Sequence, residues 1–194
     1  MAVKGALSGS WIWLYNTPMG YHQKSATKAT QEKLAFQRSD AIKWTYNVMP
    51  FGPMNGPATF IAMIHDLESV WKEIAMMEGL TIGRCVNTTI IVNNILNWAK
   101  SFPQALKYIV CQLCTCKAYR LTLSLKKSHF FPKHQEFVGI NMSPDGNCPA
   151  MSKHKLLKHW LIPQLVCDVA SFVGFLQFYS KFIPNFEICV EPLR

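Results

Sequence analysis

The spacing of apolar residues changes period along the chain, and each change marks an element. Bulky residues fill WIWLY up to Asn16, which predicts a strand that turns at Pro18 and Gly20 into polar sequence. The segment KLAFQRSDAIKWTYNVM reads as a hairpin with Ser39 and Asp40 near its turn. Apolar residues then recur with helical spacing from Pro57 to about Met77, and the proline suits a first helical turn because its missing N–H would be unpaired there anyway. In TIIVNNIL, residues 89–96, a β-branched and aliphatic run is broken by Asn93 and Asn94, which predicts two short strands joined by a tight polar turn. Asparagine also occupies such turns simply because it tolerates a left-handed backbone. A second helix is expected from about Pro103 to Arg120, with apolar positions at Leu106, Ile109, Val110 and Leu113. The stretch LTLSLKKSHFF alternates as a strand does, and QEFVGINMSPDGN reads as a hairpin with its turn at Asp145 and Gly146. From about Ala150 the chain becomes helical, in MSKHKLLKHWL and again in VCDVASFVGFLQFYSKFI. This order predicts an α+β fold, with an antiparallel sheet and packed helices in residues 1–149 and a small helical unit in residues 150–194.

Composition narrows the partners. A chain of 194 residues with 49% hydrophobic content is long enough for one ordinary domain, or a domain and part of a second, with a real core. No apolar run reaches the roughly 18 residues needed to cross a bilayer, and the opening MAVKGALSGS lacks the apolar core of a secretory signal. An intracellular setting without a membrane is therefore expected. Seven cysteines, an odd number, read as buried thiols rather than a disulfide framework. Lysine and arginine total 20 against 11 acidic residues, a formal charge of +9, and the basic residues are spread along the chain rather than gathered in a tail. That pattern suits a basic groove for a polyanion, nucleic acid being the commonest, although a generally basic surface fits the same count. Cys111, Cys114 and Cys116 with His154 and His159 have a metal-like look. On helices, however, Cys114 and Cys116 point to different faces, as do histidines five residues apart, so no zinc site is expected.

The run YNVMPFGPMNGPATF, residues 46–60, resembles the nucleotide-side motif of reverse transcriptases from long-terminal-repeat retrotransposons of the gypsy class. Four further blocks stand in that family's order. LYNTPMGYHQ resembles its first palm motif and IIVNNIL its catalytic hairpin. LSLKKSHFFPKHQEFVGINMSPDG is similar to its lysine-bearing strand and primer-grip hairpin, and DVASFVGFLQFYSKFIPNFEICVEPLR to the start of its thumb. The resemblance implies a polymerase palm with a remnant of the fingers over residues 1–149, then the beginning of the thumb over 150–194. Most of the fingers would be missing, and the chain would be a fragment of a polyprotein. The activity it implies is RNA-directed DNA synthesis, with Mg²⁺, deoxynucleoside triphosphates and an RNA or DNA primer-template as ligands.

In that family an aspartate ends the first motif, five residues before an aromatic, and two adjacent aspartates sit at the hairpin turn. The matching positions here are Asn16, with Tyr21 five residues on, and Asn93 with Asn94. Nucleotidyl transfer depends on two Mg²⁺ ions held by carboxylates together with substrate phosphates. Three amides reduce the ligand charge from about three negatives to zero, so the expectation is a chain without useful polymerase activity that holds no metal as it stands. The chain has only four aspartates, Asp40, Asp66, Asp145 and Asp168, which the pattern puts in turns and helices. Glu32 and Glu136 are the nearest carboxylates by sequence, and nothing in the pattern brings either to the site.

Other family positions are filled. The resemblance matches Tyr21 to the aromatic under the nucleotide sugar, and Phe51 and Gly52 to the turn that approaches the incoming nucleotide. Lys126 or Lys127 matches the lysine that assists the leaving pyrophosphate. Phe137, Val138 and Gly139 match the primer grip, and Lys181 falls where the thumb helix meets the duplex, as a phosphate contact. Each of these also has a plain packing or surface explanation. The stripe of Phe172, Phe175, Phe178, Tyr179 and Phe182 reads chiefly as core. Two functions fit: a reverse transcriptase fragment that has lost catalysis, and a derived module that binds nucleic acid or a partner subunit without turnover.

Overall fold

A computed structural model describes residues 10–39, 41–143 and 146–193. They divide into two compact units, one ending at Pro132 and the other beginning at Lys133. The first runs β1 (Trp11–Asn16), α1 (Lys28–Lys33), β2 (Phe36–Gln37), β3 (Lys43–Trp44), α2 (Gly56–Met77), β4 (Val86–Ile91), β5 (Asn94–Ala99), α3 (Phe102–Ala118) and β6 (His129–Phe130). β4, β5, β1 and β6 form an antiparallel sheet in that spatial order. The expected early hairpin is present as the short β2–β3 pair, with Asp40 outside the described residues.

Strand register decides which side chains share a face. Trp13 and Tyr15 lie opposite Asn97 and Ile95, and this face of the sheet packs on α2 and α3. α2 buries Phe60, Ile64, Leu67, Trp71 and Ala75, spaced three or four apart, with Pro57 in its first turn as expected. α3 turns a different side inward from the one its aliphatic residues mark. Leu106, Val110 and Leu113 are exposed, whereas Ala105, Tyr108, Ile109, Gln112 and Cys116 are buried. The sheet face beneath α3 carries the polar Asn97 and Thr88, and Gln112 and Tyr108 answer them with hydrogen bonds, which outweighs aliphatic hydropathy.

The alternation in LTLSLKKSHFF does not yield a strand along its length. α3 ends as Arg120 takes φ 57, and the Leu121 N–H returns to the Cys116 carbonyl at 2.8 Å. The Gln23 side chain then bonds both backbone groups of Thr122, Ser124 is tied to Asn16, and Leu125–Lys127 form a short 3₁₀ turn. With the backbone partnered in these ways, only β6 pairs with β1.

The second unit runs β7 (Gln135–Phe137), β8 (Ile140–Ser143), β9 (Gly146–Pro149), α4 (Met151–Lys158), α5 (Val166–Phe178) and α6 (Phe186–Val190). Where one hairpin was expected there is a three-stranded antiparallel sheet. Asp145, of the expected turn, lies outside the described residues. The additional turn is Val138–Gly139, with φ 51 and 75, as a two-residue type I′ connection requires. Gly139 is obligatory there, since a Cβ would stand 2.6 Å from the Tyr179 hydroxyl. The aromatic stripe is core only in part: Tyr179 is buried, Phe172, Phe175 and Phe182 are half-buried, and Phe178 is exposed. Phe172 and Phe175 pack on Trp160 with ring centroids 5.5 and 5.1 Å away. Of the cysteines, Cys111 and Cys116 are buried thiols as expected, but Cys114, Cys148, Cys167 and Cys189 are exposed. Among the described residues no helix is long and apolar enough to cross a membrane.

Candidate functional site

β1 ends at Asn16 because Thr17 and Pro18 leave the sheet, and β5 begins at Asn94, its register partner. The turn joining β4 to β5 is therefore one residue earlier than the sequence indicates, at Val92 and Asn93, while Asn94 belongs to the strand. Val92 takes φ 51, an uncommon and strained conformation for a β-branched residue. Asn93 holds this turn through its backbone: its carbonyl accepts from the Thr17 N–H at 2.9 Å and the Thr17 hydroxyl at 3.1 Å.

Asn16 and Asn94 thus face each other across adjacent strand ends, on the side of the sheet away from α2 and α3. The Asn16 amide Nδ2 donates to Asn94 Oδ1 at 2.9 Å. Asn16 is buried, at 7% exposure, and its own Oδ1 has no hydrogen-bond partner among the described residues. The 3₁₀ turn carrying Lys126 and Lys127 is tied to this junction. The Ser124 N–H donates to the Asn16 carbonyl at 2.8 Å, the Asn16 N–H to Ser128 Oγ at 3.3 Å, and Ser128 Oγ to the Ser124 carbonyl at 2.7 Å. Both lysines are exposed.

A cleft of about 200 Å³ opens beside the turn, lined by Met19, Gly20, Tyr21, Phe51, Phe60, Val92 and Asn93. Tyr21 packs against Phe51 and Phe60 with centroids 5.2 and 5.6 Å away. Gly20 permits this packing, since a Cβ there would stand 2.6 Å from Phe60 Cζ. Phe51 is largely exposed, and Gly52 follows with φ 109, a conformation that favours glycine. Asn16, Asn93 and Asn94 are therefore brought together, with Tyr21 and Phe51 beside Asn93 and the lysine turn anchored to Asn16. Phe137, Val138 and Gly139 form the β7–β8 turn of the second unit. Lys181, in a 3₁₀ turn of that unit, places its Nζ 4.9 Å from the centre of the Phe182 ring.

No carboxylate lines the cleft. Asp66 lies on α2 and borders a different cavity with Lys24 and Arg120. Asp168 caps α5, accepting from the backbone N–H groups of Gln164 and Leu165, which hold its carboxyl below the usual range. Glu32 is exposed on α1, and Glu136 lies on β7 in the second unit. Among the described residues no three His, Cys, Asp or Glu side chains group as a metal site. Mg²⁺, which the resemblance implies, is a hard cation that exchanges water for carboxylate and phosphate oxygens. The amides offer neutral oxygens, and Asn94 Oδ1 is already engaged by Asn16. The donor set present does not fit the ion.

A second polar group, which the sequence did not single out, lies on the opposite face of the sheet. Asn97 Oδ1 accepts from Thr88 Oγ1 at 2.8 Å and from Gln112 Nε2 at 2.6 Å, while Trp13 Nε1 donates to Gln112 Oε1 at 3.2 Å. The Tyr108 hydroxyl lies 3.0 Å from Thr88 Oγ1, and burial pushes its pKa up to about 12. The signal for it was present, as polar residues standing where strand and helix periods place core.

No protein-family model matches the chain. It is similar to the retrovirus-related Pol polyproteins from transposons 297 and opus of Drosophila melanogaster, with 27% and 26% identity over 174 residues, 90% of this chain. It is 25% identical, over the same share, to the transposon Tf2-7 polyprotein of Schizosaccharomyces pombe. The chain spans 12–16% of the length of these relatives. Among solved structures it is similar to the foamy viral protease-reverse transcriptase in complex with double-stranded DNA, with TM-scores of 0.76 and 0.74 and 20–21% identity. Those matches cover 94% of this chain and 30–35% of the other. The same foamy viral protein in complex with an RNA/DNA hybrid gives a TM-score of 0.67 at 21% identity, over 94% of this chain and 23% of the other. The fold is that of a segment of a reverse transcriptase.

Proposed function

We propose that the chain is the palm and the beginning of the thumb of a gypsy-class reverse transcriptase, within a longer Pol polyprotein, and that its site holds primer-template without extending it. The palm is assigned to residues 1–149 and the start of the thumb to 150–194. The observation that carries this reading is the Asn16–Asn94 hydrogen bond at the strand ends where the family places its metal ligands. An amide pair bonded to itself lacks the negative charge that a two-Mg²⁺ transfer uses, and it leaves only one neutral side-chain oxygen, Asn16 Oδ1, without a partner among the described residues. In this reading Tyr21, Phe51 and Gly52 line the nucleotide side. Lys126 and Lys127 face phosphate, Phe137, Val138 and Gly139 form the primer grip, and Lys181 contacts the duplex backbone. The formal charge of +9 supports a polyanionic ligand, and the foamy viral complexes support duplex as its class.

Two measurements test it. In Mg²⁺-dependent primer extension on an RNA template, the unaltered chain is expected to be silent and the triple variant Asn16→Asp, Asn93→Asp, Asn94→Asp to extend. Extension by the unaltered chain at a comparable rate overturns the loss of catalysis, and two folded but silent proteins count against a competent scaffold. Binding of a short RNA/DNA hybrid is expected without Mg²⁺ and should fall steeply with salt. Lys181→Ala is expected to lower the slope of log affinity against log salt by about one. Salt-independent binding, or none at low salt, removes the nucleic-acid role.

A further inference from the structure

Two carboxylates placed where Asn16 and Asn94 stand would bring negative oxygens close together at a junction where Asn16 is only 7% exposed. Like charges that near, partly withdrawn from water, cannot both ionise freely; one takes up a proton or a cation neutralises the pair. At neutral pH such strand ends would repel unless a proton or a cation neutralised them. With amides, the electrostatic problem disappears and a bond replaces it, since Asn16 Nδ2 donates to Asn94 Oδ1 at 2.9 Å. The same residue also anchors the neighbouring turn through Ser124 and Ser128, so whatever holds Asn16 holds three segments.

We infer that the Asn16–Asn94 pair is a clasp that replaces a metal ion in a structural role, so that the ends of β1 and β5 are joined without any cation and the folded state is indifferent to Mg²⁺. This rests on the reading above only in treating positions 16 and 94 as the family's metal positions. The two partners are not equivalent. Asn94 is half-buried, so Asn94→Asp puts a carboxylate in reach of solvent and opposite an amide donor, giving a charge-assisted hydrogen bond. Asn16→Asp places its charge in the more buried position, where desolvation opposes it.

The test is thermal unfolding of the full chain and its variants at neutral pH, with and without millimolar Mg²⁺. The unaltered chain is expected to show the same Tm in both. Asn94→Asp should lie near or above it, and Asn16→Asp below it. The double variant Asn16→Asp, Asn94→Asp should unfold roughly 3–8 °C below the sum of the single changes without Mg²⁺, and recover most of that when the ion is added. The double variant Asn16→Ala, Asn94→Ala gives the background effect of Mg²⁺ on a chain with neither set of ligands. A Tm of the unaltered chain that rises with Mg²⁺ above that background overturns the clasp. So does an additive double carboxylate variant that ignores Mg²⁺.

Should the double carboxylate variant fail to fold with or without Mg²⁺, the alanine variants decide. The bond predicts that Asn16→Ala and Asn94→Ala are non-additive by about 2–4 °C in Tm, and additivity overturns it. Primer extension is not read in this experiment. A polymerising but Mg²⁺-indifferent fold would defeat only the loss of catalysis, and a silent chain stabilised by Mg²⁺ would defeat only the clasp.

Discussion

Two polar groups on opposite faces of the central sheet differ in how far they are satisfied, although Tyr15 on the helix side also keeps a buried hydroxyl without a partner among the described residues. On the helix side, Asn97 uses both ends of its amide, Gln112 does the same, and Thr88, Tyr108 and Trp13 complete a buried set in which each side chain has a partner. On the other side, β1 ends at Asn16 and β5 begins at Asn94, and Asn16 keeps one buried oxygen unpartnered, while Asn93 in the adjoining turn bonds through its backbone rather than its side chain. A closed network marks residues chosen to hold a fold, because each unpaired buried group costs stability. By this contrast, the closed set around Asn97 belongs to the architecture, while Asn16, Asn93 and Asn94 are less fully engaged by the fold, as the site proposed above requires.

The contrast breaks most readily at Asn97. Asn97→Leu keeps the side-chain volume but removes the acceptor shared by Thr88 and Gln112, leaving buried donors unpaired. The loss is expected to be about 2–4 kcal/mol in urea unfolding, larger than that of any single asparagine-to-alanine change at the site. A loss under 1 kcal/mol would mean that the network closes around the gap and that satisfied bonding is no guide to architecture.

Most of the elements were legible because they rest on period. The five buried residues of α2, from Phe60 to Ala75, repeat as an amphipathic helix must, and the apolar runs of β1 and β5 form the strands expected of them, buried almost along their length. The candidate site was suggested only by resemblance, since the adjacent pair Asn93–Asn94 reads as an ordinary turn. What stayed hidden was decided by side-chain partners rather than by hydropathy. Gln23 captures Thr122 and prevents a long final strand, although the two are 99 residues apart. α3 presents Tyr108 and Gln112 rather than Leu106 and Val110, because the surface it meets is polar. The shift of the hairpin turn from Asn93–Asn94 to Val92–Asn93 was equally hidden. It follows from pairing Asn94 with both Asn16 and Ile91, which a local pattern does not contain.

Tyr108 sharpens the comparison through pH. Thr88 spends its proton on Asn97, so the Tyr108 hydroxyl donates to Thr88, and burial raises its pKa from the ordinary value near 10 to about 12. Below pH 10 the group is protonated in folded and unfolded chains alike, and Tyr108→Phe is expected to cost about 1 kcal/mol through the lost bond. Between pH 10 and about 12 the unfolded chain releases the proton while the folded chain keeps it, so this contribution to stability falls by up to about 1.4 kcal/mol per pH unit. The variant lacks that term, and the gap between the two proteins should close and then reverse as pH rises. Parallel stability curves over that interval would show that the hydroxyl is not enclosed.

The smallest effect belongs to Asn93. Its carbonyl, which any residue would supply, takes both bonds from Thr17, and the residue borders the cleft. Asn93→Ala is therefore expected to change stability by less than about 0.5 kcal/mol, as a surface substitution does. Thr17→Val removes one of the two donors to the turn and should cost more, about 1 kcal/mol. If urea unfolding ranks them the other way, the Asn93 amide is part of the turn's own structure. The distinction drawn between the two faces would then hold for Asn16 and Asn94 but not for their neighbour.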